Sequence, residues 1–98
     1  MQDLVESKKR CARVAALLKS LAHPQRLFLL CRLADGEMTV GDLRAACDAS
    51  QPLISQHLTR MRREGLVLAR REGNHVHYRI ADPRLAGLIR TMEKTFNE

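Results

Sequence analysis

The sequence has few aromatic side chains and no long apolar run. Phe28, Tyr78 and Phe96 are its only aromatic residues among 98, which predicts a single domain with a core of modest size. No segment is long and apolar enough to span a membrane, and no basic helix carries an aromatic belt, so membrane binding fits poorly. Residues 1–10, MQDLVESKKR, lack the pattern of a secretory signal. We therefore expect a cytoplasmic protein.

Sequence patterns typical of enzymes and metal sites are also missing. There is no Gly-rich phosphate loop, no nucleophile elbow and no pair of carboxylates suited to a cleft, so no enzymatic activity is expected. His75 and His77 share one face of a predicted strand, but no cysteine or carboxylate joins them at the spacing of metal ligands. The sequence therefore predicts neither a metal site nor a cofactor.

Positive charge is in excess and unevenly distributed. The chain has 17 Lys plus Arg against 11 Asp plus Glu, a formal charge of +6, and residues 60–79 alone contain six arginines and two glutamates. A solvated basic surface would have the same composition. Local concentration of arginine is nevertheless what neutralisation of nucleic-acid phosphates requires.

A helix is predicted over residues 50–65, SQPLISQHLTRMRREG. Serine caps helix starts, and glycine tolerates the left-handed conformation that follows a helix end. Ile54, Leu58 and Met61 recur at three- and four-residue spacing, so they form an apolar stripe that can pack against the domain. The polar residues that fall largely outside this stripe are Gln51, Ser55, Gln56, Thr59, Arg62 and Arg63.

A shorter helix precedes this one and is joined to it tightly. In residues 39–47, TVGDLRAAC, Thr39 and Asp42 are placed as a capping box, and Asp48 and Ala49 then turn the chain into Ser50. Two helices so connected form a helix-turn-helix, here residues 39–64.

The second helix of this unit has residues suited to reading DNA. Glutamine presents a donor and an acceptor together and can pair with adenine, serine suits several bases, and arginine suits phosphates. A solvated helix face carries the same residue types, and this is the stronger interpretation for an isolated helix. The expected base contacts are Gln51, Ser55 and Gln56, and the expected backbone contacts are Ser50, Thr59, Arg60, Arg62 and Arg63.

A two-stranded wing is predicted over residues 66–80. Residues 66–71 and 75–80 are rich in strand-forming side chains, and Glu72, Gly73 and Asn74 have the chemistry of a hairpin turn. On the second strand, three apolar residues (Val76, Tyr78 and Ile80) alternate with three polar ones (His75, His77 and Arg79), so one face can pack on the helices. The expected wing contacts with DNA are Arg70, Arg71, Asn74 and His75.

The two chain ends are predicted to be helices with more apolar residues than one small domain can cover. Residues 1–22 carry Val14, Leu17, Leu18 and Leu21, and residues 82–98 carry Leu85, Leu88, Ile89, Met92 and Phe96. Pairing of these helices between two chains would bury them, although they could instead complete a monomeric core. A two-fold dimer places two recognition helices about 34 Å apart, one turn of DNA, and demands a roughly palindromic operator.

The fold class that these segments predict is mainly α with a small β-hairpin. It is a winged helix-turn-helix with about five helices and a two-stranded wing in one domain, residues 1–98, dimerised through its terminal helices.

Four runs of the sequence resemble ArsR/SmtB-type winged-helix regulators, most closely the HlyU/BigR-like branch. They are LKSLAHPQRLFLLCRL (residues 18–33), GEMTVGDL (36–43), SQPLISQHLTRMRREGLV (50–67) and VHYRI (76–80). The order and spacing of small features, such as His23-Pro24 before Arg26, carry the resemblance. It implies a homodimer built on the first and last helices that binds or releases promoter DNA in response to a small inducer.

The sequence departs from the metal-sensing branches of that family. In place of the arsenic-responsive pattern ELCVCDLC it has EMTVGDLR, so Thr39, Gly41 and Arg44 occupy the three thiolate positions. Arsenite and soft metals need thiolates, so this site is not expected. The zinc-type branch has Asp-x-His and a later histidine on the last helix, whereas this chain has Asp82-Pro83-Arg84 and no later histidine.

The HlyU/BigR-like branch senses sulfur species or oxidants through one cysteine on the second helix and another after the last helix. Cys31 matches the first position, but Asn97 stands at the second, so a bridge between these positions is not expected. An odd cysteine count in a reducing compartment also argues against a structural disulfide framework.

Three thiols remain, Cys11, Cys31 and Cys47. A redox pair of Cys11 and Cys31 is one hypothesis, because Lys8, Lys9 and Arg10 near the first and Arg32 beside the second favour thiolates if the side chains converge in space. The alternative is that all three are inert packing residues.

The function predicted from the sequence is a homodimeric, sequence-specific DNA-binding regulator, most simply a repressor. Two alternatives are left open. One is a winged-helix domain that binds a protein partner instead of DNA, and the other is a constitutive DNA-binding regulator with no inducer.

Overall fold

A computed structural model describes residues 2–97 of the chain. Its elements are, in order, α1 (Gln2–Leu21), α2 (Pro24–Ala34), β1 (Met38–Thr39), α3 (Val40–Ala46), α4 (Gln51–Arg63), β2 (Val67–Glu72), β3 (His75–Ile80) and α5 (Pro83–Thr95). The predicted winged helix-turn-helix class is confirmed.

Helices α2 to α5 each begin at a side chain that satisfies a free backbone N–H. His23 Nδ1 accepts from the Gln25 amide at 3.2 Å before α2, and Asp82 accepts from the Arg84 amide at 2.9 Å before α5. The predicted capping box of α3 is present: Thr39 Oγ1 accepts from the Asp42 amide at 3.0 Å, and the Asp42 carboxylate accepts from the Thr39 amide at 3.1 Å. Local chemistry therefore sets where these helices start.

The core lies among α2, α4 and α5 and is closed by the sheet. Its largest fully buried side chains are Leu29, Leu30, Leu43, Ile54, Leu58, Met61, Val67 and Ile89. Every helix from α2 to α5 contributes at least one of them. Packing of these side chains fixes α3 and α4 relative to each other and so defines the helix-turn-helix.

The wing, strands β2 and β3, belongs to a three-stranded antiparallel sheet of order β1-β3-β2. The prediction of two strands missed β1, in which Met38 lies opposite Tyr78. A strand of two residues has no alternation, so hydrophobic periodicity cannot detect it.

The hairpin turn between β2 and β3 is tighter than predicted. Glu72 pairs with His75 at the end of the ladder, so the loop is Gly73 and Asn74 rather than three residues. Gly73 has φ of +61°, a left-handed conformation that glycine adopts without steric cost.

The terminal helices contribute unequally to the core. Residues 2–16 of α1 are exposed throughout, and Leu21 is the buried residue of that helix. In α5, Leu85 and Ile89 are buried while Leu88 is exposed, as is Phe96 directly after the helix. The predicted dimerisation segments also include Met1 and Glu98, which lie outside the described residues. Between residues 2 and 97 no helix combines the length and hydropathy needed to cross a membrane.

Candidate nucleic-acid interface

Helix α4 has the two faces that the sequence predicts. Ser50 Oγ accepts from the Leu53 amide at 3.4 Å, which satisfies a donor in the first turn. Ile54, Leu58 and Met61 are fully buried. The opposite face carries Gln51, Gln56, Arg60, Arg62 and Arg63, all exposed, with Ser55 and Thr59 half-buried at its margin.

The start of α4 opens on a groove shared with α3 and the wing. Gln51 and Ser55 line it from α4, and Asn74 and His75 line it from the hairpin. Two predicted base contacts and two predicted wing contacts are therefore brought together at one surface. Arg44 of α3 lines the same groove, and its Nη1 donates to Gln51 Oε1 at 3.1 Å.

The next stretch of α4 forms a second surface beside the first. Its lining includes Ser55, Gln56, Thr59, Arg60 and Arg63. Ser55 borders both grooves, so the three predicted base contacts and three of the predicted backbone contacts form one continuous strip along the exposed side of α4. Arg62 is exposed but does not line either groove.

Arg60 is part of an ion network at the end of α4. Its Nε donates to Glu64 Oε1 at 3.0 Å, and the Ser20 hydroxyl donates to the other oxygen of the same carboxylate. The hydrogen bond from Ser20, followed by the charge of Arg60, lowers the pKa of Glu64. Part of the positive charge of Arg60 is thus already compensated within the chain.

Arg26 of α2 is buried beneath this network. Its guanidinium lies 3.9 Å from Glu64 Oε1, and two of its buried nitrogens, Nε and Nη1, have no hydrogen-bond partner among residues 2–97. The Glu64 carboxylate therefore offsets part of the charge of this buried arginine from the end of α4.

In the wing, Arg70 is held by two carboxylates. Its guanidinium donates to Glu72 on the same strand and to Glu37 at the loop before β1. Glu37 Oε1 also lies 3.4 Å from His77 Nδ1. Arg71, Asn74 and His75 are exposed, and none of the salt bridges within the described part of the chain involves Arg71.

Sequence reasoning missed Arg44 and Glu37 as parts of this surface. The sequence marks Arg44 only as a replacement for a thiolate, although its place in the last turn of α3, shortly before α4 begins, is a local signal for contact with the start of α4. No local signal links Glu37 to Arg70, because 33 positions separate them.

The three cysteines lie in different environments. Cys11 is exposed on α1, Cys31 is half-buried on α2, and Cys47 is buried at the end of α3, where Gln25 Nε2 donates to its sulfur at 2.8 Å. All three are free thiols.

The expectation that Arg32 favours a thiolate at Cys31 is wrong. Burial raises the pKa of Cys31, and the negative charges of Glu93 and Asp35 raise it further. Carboxylates rather than the neighbouring guanidinium therefore dominate its electrostatic surroundings. Nowhere in residues 2–97 do three or more His, Cys, Asp or Glu side chains come close enough to hold a metal ion.

An amphipathic helix seated across a second helix, with a basic hairpin beside it, defines a winged helix-turn-helix DNA-binding protein. The chain belongs to the ArsR family of bacterial regulatory proteins, whose family model matches residues 23–68. It is therefore a DNA-binding transcriptional regulator, and its predicted resemblance to the HlyU/BigR-like branch is confirmed.

Two curated relatives and two solved structures illustrate the relationship. Over 89 residues the chain is 47% identical to the biofilm growth-associated repressor of Agrobacterium fabrum, covering 91% of this chain and 76% of that protein. It is 36% identical to the transcriptional activator HlyU of Vibrio cholerae over 96% of this chain and 87% of that one.

The structure of reduced HlyU from Vibrio cholerae superposes with a TM-score of 0.88 at 35% identity, covering 95% of this chain and 98% of that chain. A homodimeric winged helix-turn-helix domain from Mycobacterium bovis superposes with a TM-score of 0.80 at 34% identity, covering 94% and 85% of the two chains.

Proposed function

We propose that this regulator is a homodimer that represses transcription by occupying a roughly palindromic operator in promoter DNA in the cytoplasm. Helices α1 and α5 join the two copies, and each copy presents one α4 to the major groove. A two-fold arrangement of this kind spaces the two recognition helices by about one turn of DNA, roughly 34 Å.

The observation that carries the dimer is the apolar surface of the two terminal helices. Leu4, Leu18, Leu88 and Phe96 are 57%, 49%, 39% and 73% exposed. Exposed apolar side chains on both terminal helices support an interface between two copies of the chain, since larger exposed apolar surfaces mark interaction sites. The homodimeric state named for the Mycobacterium bovis domain supports the same arrangement.

In the proposed complex, α4 supplies base contacts through Gln51, Ser55 and Gln56. Ser50, Thr59, Arg60, Arg62 and Arg63 bind the DNA backbone. The wing adds Arg71, Asn74 and His75, with Arg70 in a lesser role because two carboxylates already engage it. Bases read by α4 give the specificity, and the arginines give affinity that depends on salt.

Repression is proposed because occupancy of a promoter by a compact dimer needs no further contact with the transcription machinery. The names of the relatives include both a repressor and an activator. A reporter driven by the bound promoter, compared in cells with and without the regulator, distinguishes the two signs: repression predicts higher expression when the regulator is absent.

A thiol response through Cys11 and Cys31 is part of the proposal. Cys11 is exposed on α1, and Cys31 lies on α2 within the electrostatic reach of Glu93 on α5. Modification of Cys11 would act directly on α1, and modification of Cys31 would act on α5 through the charge of Glu93, so each would act at a helix proposed to join the two copies. A change there alters the spacing of the recognition helices and thereby the affinity for DNA.

The proposal is tested by measuring mass in solution and DNA binding on the same protein. Sedimentation of the parent should give a dimer, and Leu88→Glu should shift it to monomer and weaken operator binding. Leu68→Glu is a matched control for the mass measurement, since Leu68 is 43% exposed on the wing. A strictly monomeric parent, or one that binds no duplex at modest salt, contradicts the proposal.

A further inference from the structure

The side chains of Arg44 and Gln51 form a pair across the turn of the helix-turn-helix. Arg44 Nη1 donates to Gln51 Oε1 at 3.1 Å, and both residues are exposed. Gln51 is the first residue of α4, and Arg44 is in the last turn of α3. The pair therefore lies at the end of the recognition helix that approaches base edges in helix-turn-helix proteins.

The chemistry of the two groups fixes the orientation of the glutamine amide. A guanidinium has five N–H donors and no acceptor, so only the amide oxygen of Gln51 can face Arg44. The amide nitrogen is then directed away from Arg44. A glutamine without such a partner can turn its amide over, because the terminal torsion is broad and roughly two-fold.

This orientation changes which base the pair can recognise. One lone pair of the Gln51 oxygen is occupied by Arg44, and the remaining groups that the pair presents are mostly N–H donors. Guanine offers two adjacent acceptors in the major groove, N7 and O6, whereas adenine offers one acceptor and one N–H donor. A positive charge beside the amide disfavours the adenine donor and favours the guanine acceptors.

We propose that Arg44 is a specificity-determining residue that orients Gln51, so that the two side chains together select guanine over adenine at one position in each half-site. This rests on the proposed role of Gln51 as a base contact. Recognition of guanine by the pair replaces the pairing with adenine that is expected of a glutamine alone. The simpler role for Arg44 is a phosphate contact that acts independently of Gln51.

The test begins with selection of an operator from random duplexes by the purified full-length chain. Dissociation constants are then measured for operators that carry each of the four bases at every half-site position. The proteins compared are the parent, Gln51→Ala, Arg44→Ala and the double variant. Arg32→Ala is the charge control, because Arg32 is exposed on α2 and lies in none of the grooves that adjoin α4.

At the position where Gln51→Ala loses discrimination, the parent should prefer guanine. Arg44→Ala should reduce the guanine-to-adenine ratio there by about three- to tenfold, the effect of losing one oriented hydrogen bond. In the Gln51→Ala background, removal of Arg44 should leave that ratio unchanged, because the two residues act as one unit. Arg32→Ala should leave the ratio as in the parent.

Three results would overturn the role of Arg44 without affecting that of Gln51. Arg44→Ala could weaken binding equally for all four bases with a shallower salt dependence, the effects of the two substitutions could be additive in the double variant, or the parent could prefer adenine. If Gln51→Ala discriminates operators as the parent does, the base contact proposed for Gln51 fails as well. Failure of the role of Arg44 and failure of the base contact of Gln51 are therefore distinguished by which single variant still discriminates between operators as the parent does.

Discussion

The imidazole rings of His23 and His57 lie with their centroids 4.7 Å apart and their planes inclined by 56°. His23 caps α2 and His57 is in the middle of α4, so this contact joins the second helix to the recognition helix. Burial lowers the pKa of His57, and the positive charges of His23, Arg26 and Arg60 lower it further. These surroundings suit a packing role for His57 rather than a role as a base.

Stability should therefore fall on the acid side of neutrality. In the unfolded chain His57 binds a proton near its ordinary pKa of 6.5, whereas in the folded protein it does so only at lower pH. Between these two pKa values the unfolded state holds more protons, so the free energy of unfolding decreases as pH falls and is constant again below the folded value. Urea unfolding from about pH 8 to pH 5 measures this slope.

The variant His57→Asn should flatten that dependence, and His75→Asn at the exposed hairpin should not. An equal slope in the parent and in His57→Asn would contradict the assignment of the pH dependence to His57.

Arg70 and Arg71 should differ in their contribution to DNA binding. Arg70 already donates to Glu37 and Glu72, so a phosphate must compete with those carboxylates, whereas Arg71 is exposed without such a partner in residues 2–97. We expect Arg71→Ala to weaken operator binding more than Arg70→Ala. Dissociation constants at two salt concentrations check this, and a larger loss for Arg70→Ala would show that DNA displaces the carboxylates.

Arg62 should contribute affinity without specificity. It is exposed on α4, outside both grooves that adjoin this helix, and a phosphate contact does not depend on base sequence. Arg62→Ala should weaken operator and random duplexes by the same factor and make the logarithmic salt dependence shallower by about one. The same titrations on Arg32→Ala serve as the charge control. A changed ratio between operator and random DNA would mean that Arg62 reads bases.

The three thiols should react with an alkylating reagent at different rates. Cys11 is exposed and should react first. The pKa of Cys31 is raised by burial and by Glu93, and the pKa of Cys47 is raised by burial, so both have less thiolate at neutral pH, and buried Cys47 should react last. Mass spectrometry of timed samples gives the order, and the rate at Cys31 should continue to increase above the usual pH range of thiols.

Protein unfolded in urea is the control, in which the three rates should converge. Fastest reaction at Cys31 near neutral pH would contradict the raised pKa. If all three thiols can be alkylated without a change in operator affinity, the proposed thiol response is wrong.

The capping box of α3 should contribute measurably to stability. Thr39→Ala removes the side chain that accepts from the Asp42 amide, and loss of such a cap costs about 0.5–2 kcal/mol. Urea unfolding at neutral pH measures the loss. Thr95→Ala, at the exposed end of α5, should change the free energy of unfolding by less than about 0.5 kcal/mol. Equal losses in the free energy of unfolding for Thr39→Ala and Thr95→Ala would contradict the stabilising role of the Thr39 cap.

Sequence patterns predicted the elements whose causes lie within a few residues. Ser50 and Asp82 begin helices because their side chains accept from amides two or three positions ahead. The stripe of Ile54, Leu58 and Met61 was predictable because burial on one side of a helix follows its period of 3.6 residues. Composition alone showed that positive charge is concentrated in residues 60–79, as binding to an anionic partner requires.

The free fraction of that charge was not predictable. The sequence does not distinguish Arg60, Arg70 and Arg71 from one another. In the structure, the charge of Arg60 is compensated by Glu64 and that of Arg70 by Glu37 and Glu72. The strand β1 and the burial of Arg26 were missed for the same reason. Each depends on a segment that approaches from elsewhere in the chain.

The amino-acid sequence by itself determined the helix starts, the two faces of the recognition helix, the hairpin and the family, because capping, periodicity and turn chemistry act over short distances along the chain. Only the tertiary structure decided which arginines are free to meet DNA, how the amide of Gln51 is turned and which charges surround Cys31. Those properties depend on distances between side chains on different elements, and such distances exist only once the core has packed.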